Sequence, residues 1–337
     1  MNLRNFKTQI IAEIAQSHKG SINLAKKMIE LSSQAGADYV KFQAHYSNYE
    51  STFDEKFRKG FNFKEKNRYE YWKNFEFTKK QWIELIKFSK KKKIKFLCSP
   101  FSIYSFQLLR KIGLKEWKIG SGEFFSDDLL EEIIKKRDKI ILSTGLAKSK
   151  EITKRVQLLK KKKINFTLLQ CTSKYPTTLK DIGINVMHEF KKKYNCKVGL
   201  SDHSGMIEPG IYTISNSFNI LEVHVDFEKS KNPDSSSSLN FDQLKILCDF
   251  RNNLNILKNS KINKDEAYKT VSNLKKNFTK SVCINKTLKK GHIIKKNDLI
   301  MKKPGNGISY ANIKKIIGKK LKKHLDDKRI LKWSDFE

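Results

Sequence analysis

The sequence predicts an α/β chain: a (β/α)8 barrel of the TIM type, followed by a small separate C-terminal domain. Three observations carry that expectation. Eight short apolar runs, near residues 10, 40, 96, 118, 141, 168, 199 and 222, are each followed by a stretch of helical periodicity. Polar clusters fall at the C-terminal ends of those runs, the face on which such barrels build their sites. After Lys258 the alternation stops, so the barrel is assigned to residues 1–258, close to the ~250 residues the fold requires.

The first run, Gln9 to Ile14, leads through a turn to a helical pattern from Leu24 to Ala35. It carries Glu13, an acid inside a strand, which is costly to bury unless paired or functional. In the second run, Asp38 to Gln43, Lys41 and Gln43 alternate with Val40 and Phe42 and share one face, which in a closed barrel points inward. The aromatic and charged stretch 44–77 then has the length of a lid or substrate loop. His18 and His45, just past the first two runs, read as loop residues. Ile94 to Cys98 ends in Ser99-Pro100-Phe101, and a helix returns the chain to Trp117-Lys118-Ile119-Gly120-Ser121-Gly122-Glu123. Lys139 to Leu142 ends in Ser143-Thr144-Gly145, and Asn165 to Gln170 ends in Cys171-Thr172-Ser173-Lys174-Tyr175-Pro176.

The last two runs, Val198 to His203 and Ile220 to Val225, each bring a histidine to a strand end with one helix-sized segment between them. A strand, a crossover helix and the next parallel strand set His203 and His224 side by side at one end of the sheet. Either imidazole alone suits a hydrogen-bonded core position; the matched pair suits a divalent cation with open positions for substrate oxygens. Residues 259–279 are polar and read as a linker or connecting helix, and 280–337 as a domain of short strands and turns that would gain from docking onto another surface.

The composition, 38% hydrophobic with 11% aromatic residues in 337, is that of a chain able to fill a core. A net charge of +35 raises a nucleic-acid or anionic-membrane reading. The excess is mostly lysine in helix-like surface runs, and arginine, the usual reader of bases, is scarce. Cysteines 98, 171, 196, 248 and 283 form no Cys-x-x-Cys pair and read as reduced thiols. No run has the length of a membrane span, and Met1 to Thr8 is too polar for a signal peptide, so a cytoplasmic enzyme without membrane or nucleic-acid partners is expected.

With these motifs together, the chain resembles the sialic acid synthase family, bacterial enzymes that make nonulosonic acids. The resemblance rests on Ile10-Ile11-Ala12-Glu13-Ile14, Val40-Lys41-Phe42-Gln43, Ser99-Pro100-Phe101, Lys118 to Glu123, Leu142 to Gly145, Cys171-Thr172-Ser173 with Tyr175-Pro176, Ser201-Asp202-His203 and Lys303-Pro304-Gly305-Asn306-Gly307. It implies condensation of phosphoenolpyruvate with an open-chain N-acetylated amino sugar and water, with carbon–oxygen cleavage and release of phosphate. N-acetylmannosamine is the first expected sugar. The alternative is a legionaminic or pseudaminic acid synthase acting on a 2,4-diacetamido-2,4,6-trideoxy sugar, and the reading furthest from both is a basic nucleic-acid-binding protein.

The resemblance further implies Glu13 and Glu123 as catalytic carboxylates, and Lys41, Lys118, Ser99, Ser121, Ser143 and Ser201 as the phosphoenolpyruvate cradle. Gln43, Tyr175, Asp234 and Lys303 would meet the sugar, and His203 and His224 would hold Mn²⁺ or Mg²⁺. The tail resembles that family's antifreeze-like (SAF) domain, which implies a domain-swapped homodimer. The chain departs from the family at Val223, usually lysine, at Asp234 to Ser238, usually basic, at Ser173, often asparagine, and at Lys303, usually arginine. Lysine lacks the planar guanidinium fork, so sugar recognition is where these departures bear.

Overall fold

Runs that are apolar on both faces can be buried only in a sheet covered on both sides, and a closed barrel does this without leaving an edge. In the computed structural model, which describes residues 7–57, 64–227 and 233–337, the eight runs form such a barrel. The strands are β1 (Gln9–Glu13), β2 (Tyr39–Ala44), β3 (Lys95–Pro100), β4 (Glu116–Ile119), β5 (Lys139–Ser143), β6 (Phe166–Cys171), β7 (Lys197–Asp202) and β8 (Ile220–Val225). Each runs parallel to the next, and β8 returns to β1 in the register Glu13 opposite His224.

A helix follows every strand among the described residues, from Ile22–Ala35 after β1 to Phe241–Asn259 after β8. Local chemistry sets their ends. Ser21 accepts from the Leu24 N–H at the start of the first helix, and Gly36, at φ 91°, ends it in a left-handed conformation that glycine adopts without strain. Thr78 and Gln81 form a reciprocal capping box on the helix Lys79–Lys91. The last helix sends the buried Arg251 back to Asp38 and to the Gly36 carbonyl, tying the end of the barrel to its beginning.

The outward-facing strand residues, such as Ile10, Ala12, Val40 and Phe42, join the helices in the main core. Inside the barrel, Ile11, Tyr39, Leu97, Ile141, Leu169 and Ile220 form a separate buried plug. Because side chains alternate along a strand, the residue two positions further on points the same way. Those residues are Glu13, Lys41, Ser99, Ser143, Cys171 and Glu222, so a polar layer lies directly above the apolar one. Gly199 sits beside the plug: a Cβ there would fall 2.2 Å from the Ile220 carbonyl oxygen and 2.8 Å from Leu169 Cδ2.

The chain divides into two compact units, residues 1–259 and 260–337. The stretch expected as linker or connecting helix contains the helix Lys264–Phe278 and belongs to the second unit. That unit pairs β9 (Ser281–Ile284) antiparallel with β10 (Leu299–Lys302) over a core that includes Val282, Ile284, Leu321 and Phe336. In the insertion 44–77, Ser47–Glu50 and Arg68–Lys73 are helical, and residues 58–63 lie outside the described residues. No helix among the described residues is long and apolar enough to cross a membrane.

Candidate active site

The polar layer begins with alternating charge. Lys41 Nζ lies 2.6 Å from Glu13 Oε2 and 3.1 Å from Glu222 Oε1, and Lys118 Nζ lies 3.4 Å from Glu222 Oε2. All four side chains are nearly inaccessible to solvent. Two carboxylates and two ammoniums cancel, which is what allows charged groups to occupy a barrel interior. Burial would raise the Glu222 carboxyl, but Lys118 and Lys41 outweigh it and hold the group well below the usual carboxylate range. Burial pulls the Lys41 ammonium down to about 8, with Lys118 adding to the effect and Glu222 opposing it.

Hydroxyls complete a cradle around the lysines. Lys41 donates to Ser99 Oγ at 3.2 Å, and Ser121 Oγ accepts from the Gly145 N–H at 3.0 Å. Ser201 stands opposite Glu222 in the β7–β8 register. Ser143 Oγ is buried with no hydrogen-bond partner among the described residues, an arrangement that a ligand oxygen would satisfy.

The two histidines stand over this floor with ring centroids 5.1 Å apart and planes at 70°. His203 Nδ1 is 3.0 Å from the Thr172 carbonyl oxygen, which can only accept, so that nitrogen carries a proton. Tyr175 stacks on the ring at 4.2 Å and its hydroxyl lies 3.1 Å from Nε2. His224 Nδ1 is buried without a hydrogen-bond partner among the described residues, and Asp234 Oδ2 lies 4.0 Å away. Two adjacent imidazoles, one oriented through Nδ1 and one with an orphaned nitrogen, fit a divalent cation with open positions. Among the described residues, no group of three or more His, Cys, Asp or Glu side chains is arranged to hold a metal ion.

These groups open into one cavity of about 930 Å³, bordered by Lys41, Lys118, Ser99, Ser121, Ser143, Ser201, Glu222, His203, His224, Tyr175 and Asp234. Trp72, Phe101 and Tyr104 also line it, beside Arg68, Glu55 and Asp128. Glu123 reaches it from a 3-10 turn after β4, where the Ser126 hydroxyl donates to it at 2.6 Å. Burial raises the Glu123 carboxyl above its ordinary value, Ser126 opposes this, and the Glu50 charge adds to it.

Most of the residues singled out in the sequence therefore meet at one mouth. Two do not border it. Glu13 shares the layer of Lys41 and Glu222 but is covered, its oxygens taken by Lys41 and by Gln43 Nε2 at 3.0 Å. Lys303 belongs to the second unit, where its ammonium lies 5.2 Å from the Phe278 ring centroid. Conversely, the sequence reading passed over Glu222, although it carries the signal that marked Glu13, an acid within a buried apolar strand. It also set His45 aside as a loop residue, whereas the ring is buried and borders the cavity together with Glu50 from the insertion.

A closed β/α barrel whose C-terminal mouth joins an ammonium-and-hydroxyl cradle to a histidine pair defines an enzyme for an anionic substrate. Residues 28–263 match the NeuB family and residues 279–337 the SAF domain. The chain is 34% identical over 336 residues to the N,N'-diacetyllegionaminic acid synthase of Campylobacter jejuni, covering 97% of this chain and 99% of that protein. It is 30% identical over 348 residues to a pseudaminic acid synthase of the same species, covering 100% of each. The crystal structure of N-acetylneuraminic acid synthetase from Leptospira borgpetersenii, in complex with citrate, matches with a TM-score of 0.68 at 30% identity, over 80% of this chain and 91% of that one. The chain belongs to the NeuB family: it is a nonulosonic acid synthase, a transferase-type enzyme carrying a SAF domain.

Proposed function

We propose that this synthase condenses phosphoenolpyruvate with an open-chain 2,4-diacetamido-2,4,6-trideoxy sugar and water, giving a legionaminic- or pseudaminic-type acid and phosphate. The observation that carries the reaction class is the pair of buried lysines, neutralised by Glu222 and Glu13, at the same mouth as the histidine pair. N-acetylmannosamine, the sugar first expected, becomes the comparison substrate, because relatives that match nearly the whole chain are named for legionaminic and pseudaminic acid. Trp72, Phe101 and Tyr104 on the cavity lining offer apolar contact to a substrate that carries a methyl and a second acetamido group in place of hydroxyls.

Lys41 and Lys118 would hold the phosphate and carboxylate of phosphoenolpyruvate, with Ser99, Ser121, Ser143 and Ser201 donating to their oxygens. Gln43, Tyr175 and Asp234 would hold the sugar, and Lys303 of a neighbouring tail its N-acetyl group. Mn²⁺ or Mg²⁺ held by His203 and His224 would supply Lewis-acid polarisation of the sugar carbonyl. Carbon 3 of phosphoenolpyruvate attacks that carbonyl carbon, water adds at carbon 2, and phosphate leaves with its bridging oxygen. Glu123, its proton held more tightly by burial, would give or take protons at the sugar oxygens. Glu13 becomes free to steer the water once Lys41 turns from it to the incoming anion.

A domain-swapped homodimer is part of this proposal. The helix Lys264–Phe278 buries none of its residues and leaves Tyr268, Val271, Leu274 and Phe278 45–65% exposed at helical spacing. A cytoplasmic setting agrees with five unpaired cysteines. The test incubates purified protein with Mn²⁺, phosphoenolpyruvate and a panel of sugars, reading phosphate release and product mass. Diacetamido-trideoxy sugars should be turned over with the higher kcat/KM; preference for N-acetylmannosamine reverses the sugar assignment, and no phosphate with any sugar rejects the reaction.

A further inference from the structure

We propose that His45 and Glu50 are positioning residues that fix the amide of Gln43 and, through it, Glu13; the inference rests on the synthase reading for the step it serves. His45 follows β2 and is buried between two aromatic faces, Trp72 at 3.8 Å and 9° and Phe101 at 4.4 Å and 24°. Both ring nitrogens are engaged. Nδ1 lies 2.7 Å from Glu50 Oε1, and Nε2 lies 3.0 Å from Gln43 Oε1. At its other end, the Gln43 amide nitrogen donates to Glu13 Oε1 at 3.0 Å.

The direction of this chain is forced. The other Glu13 oxygen meets the Lys41 ammonium, so Glu13 is an acceptor and Gln43 must present its NH2 group to it. The Gln43 carbonyl oxygen then faces His45, so Nε2 must carry a hydrogen, and Nδ1 and the Glu50 carboxyl share one further proton between them. An amide rotated by half a turn would set oxygen against carboxylate. Glu50 Oε2 is buried with no hydrogen-bond partner among the described residues, so the carboxyl is anchored through its other oxygen, at His45. The pair sits on the insertion side of the cavity and ties the order of that segment to the carboxylate behind the reacting centre.

Two measurements on the full-length enzyme test this. In protein labelled with ring-15N histidine, the resonances lost in His45→Phe, which keeps the aromatic stack, should report a protonated Nε2 and should move in Glu50→Ala. A ring protonated on Nδ1 alone overturns the proposal. In turnover, His45→Phe should lower kcat roughly 10–100-fold, with the KM for phosphoenolpyruvate within about twofold of wild type. It should add nothing further in a Gln43→Ala background, and Glu50→Gln, whose amide can donate to Nδ1, should restore most of what Glu50→Ala loses. Multiplicative losses in the double variant, or wild-type turnover by His45→Phe, overturn it. A wild-type enzyme that turns over no sugar instead rejects the synthase reading, and the nitrogen spectra still decide the hydrogen-bond chain.

Discussion

The Lys41 ammonium on β2 lies 3.1 Å from the Glu222 carboxylate on β8, with β1 between their strands. Closure of the barrel brings the two residues together across its interior, and Lys118 completes the charge balance from the other side. Removing one member of such a buried set leaves an uncompensated charge, at a cost of about 3–5 kcal/mol. Glu222→Gln should therefore lower the unfolding temperature, and phosphoenolpyruvate should recover part of the loss by supplying the missing anion. Thermal denaturation with and without the ligand measures this. A ligand-induced shift no larger than that of wild type would show that the lysines do not bind it.

The Lys41 ammonium, pulled down to about 8 in the free enzyme, must be protonated to pair with an anion, and bound anion raises its affinity for the proton. Binding then takes up a proton wherever the pH exceeds the free-enzyme value but not the bound one. Affinity for phosphoenolpyruvate should hold steady below pH ~8 and weaken above it, since a phosphate ester is already fully ionised there. Titration calorimetry in buffers of different ionisation enthalpy reads the proton uptake directly. A flat profile from pH 7 to 10 would remove Lys41 from the binding set.

The histidine pair should take up about one equivalent of Mn²⁺ per chain. His224→Ala and His203→Ala should each weaken that binding by at least about tenfold while leaving the fold intact. Calorimetry with the metal alone separates this from any effect on turnover. Unchanged affinity in both variants removes the pair as the cation site.

The proposed exchange of the C-terminal unit between protomers would have a complementation signature. Co-expressed His203→Ala and Lys303→Ala chains should regain about a quarter of wild-type activity at a limiting sugar concentration, because half of the dimers are mixed and each holds one intact site. A tail serving its own barrel gives no recovery beyond the activity of the Lys303→Ala chain itself.

The eight strands were readable because a strand buried on both faces is written as a continuous apolar run, and the site could be located because the polar residues follow each run at its C-terminal end. Glu222 had the same local signature as Glu13, yet nothing within its own strand says that it meets Lys41 and Lys118, residues more than a hundred positions away. His45 looked like a loop histidine because the rings that sandwich it, Trp72 and Phe101, come from the insertion and from the end of β3.

The sequence by itself determined the barrel, the order of its strands and the chemical types gathered at its mouth, since alternation and strand-end position are local properties of the chain. Only the tertiary structure decided which charges neutralise one another, that Glu13 stands behind Lys41 and Gln43 while Glu222 borders the cavity, and that His45 is held at both nitrogens. Those outcomes depend on distances across a closed sheet, and closure is a property of the eight strands together.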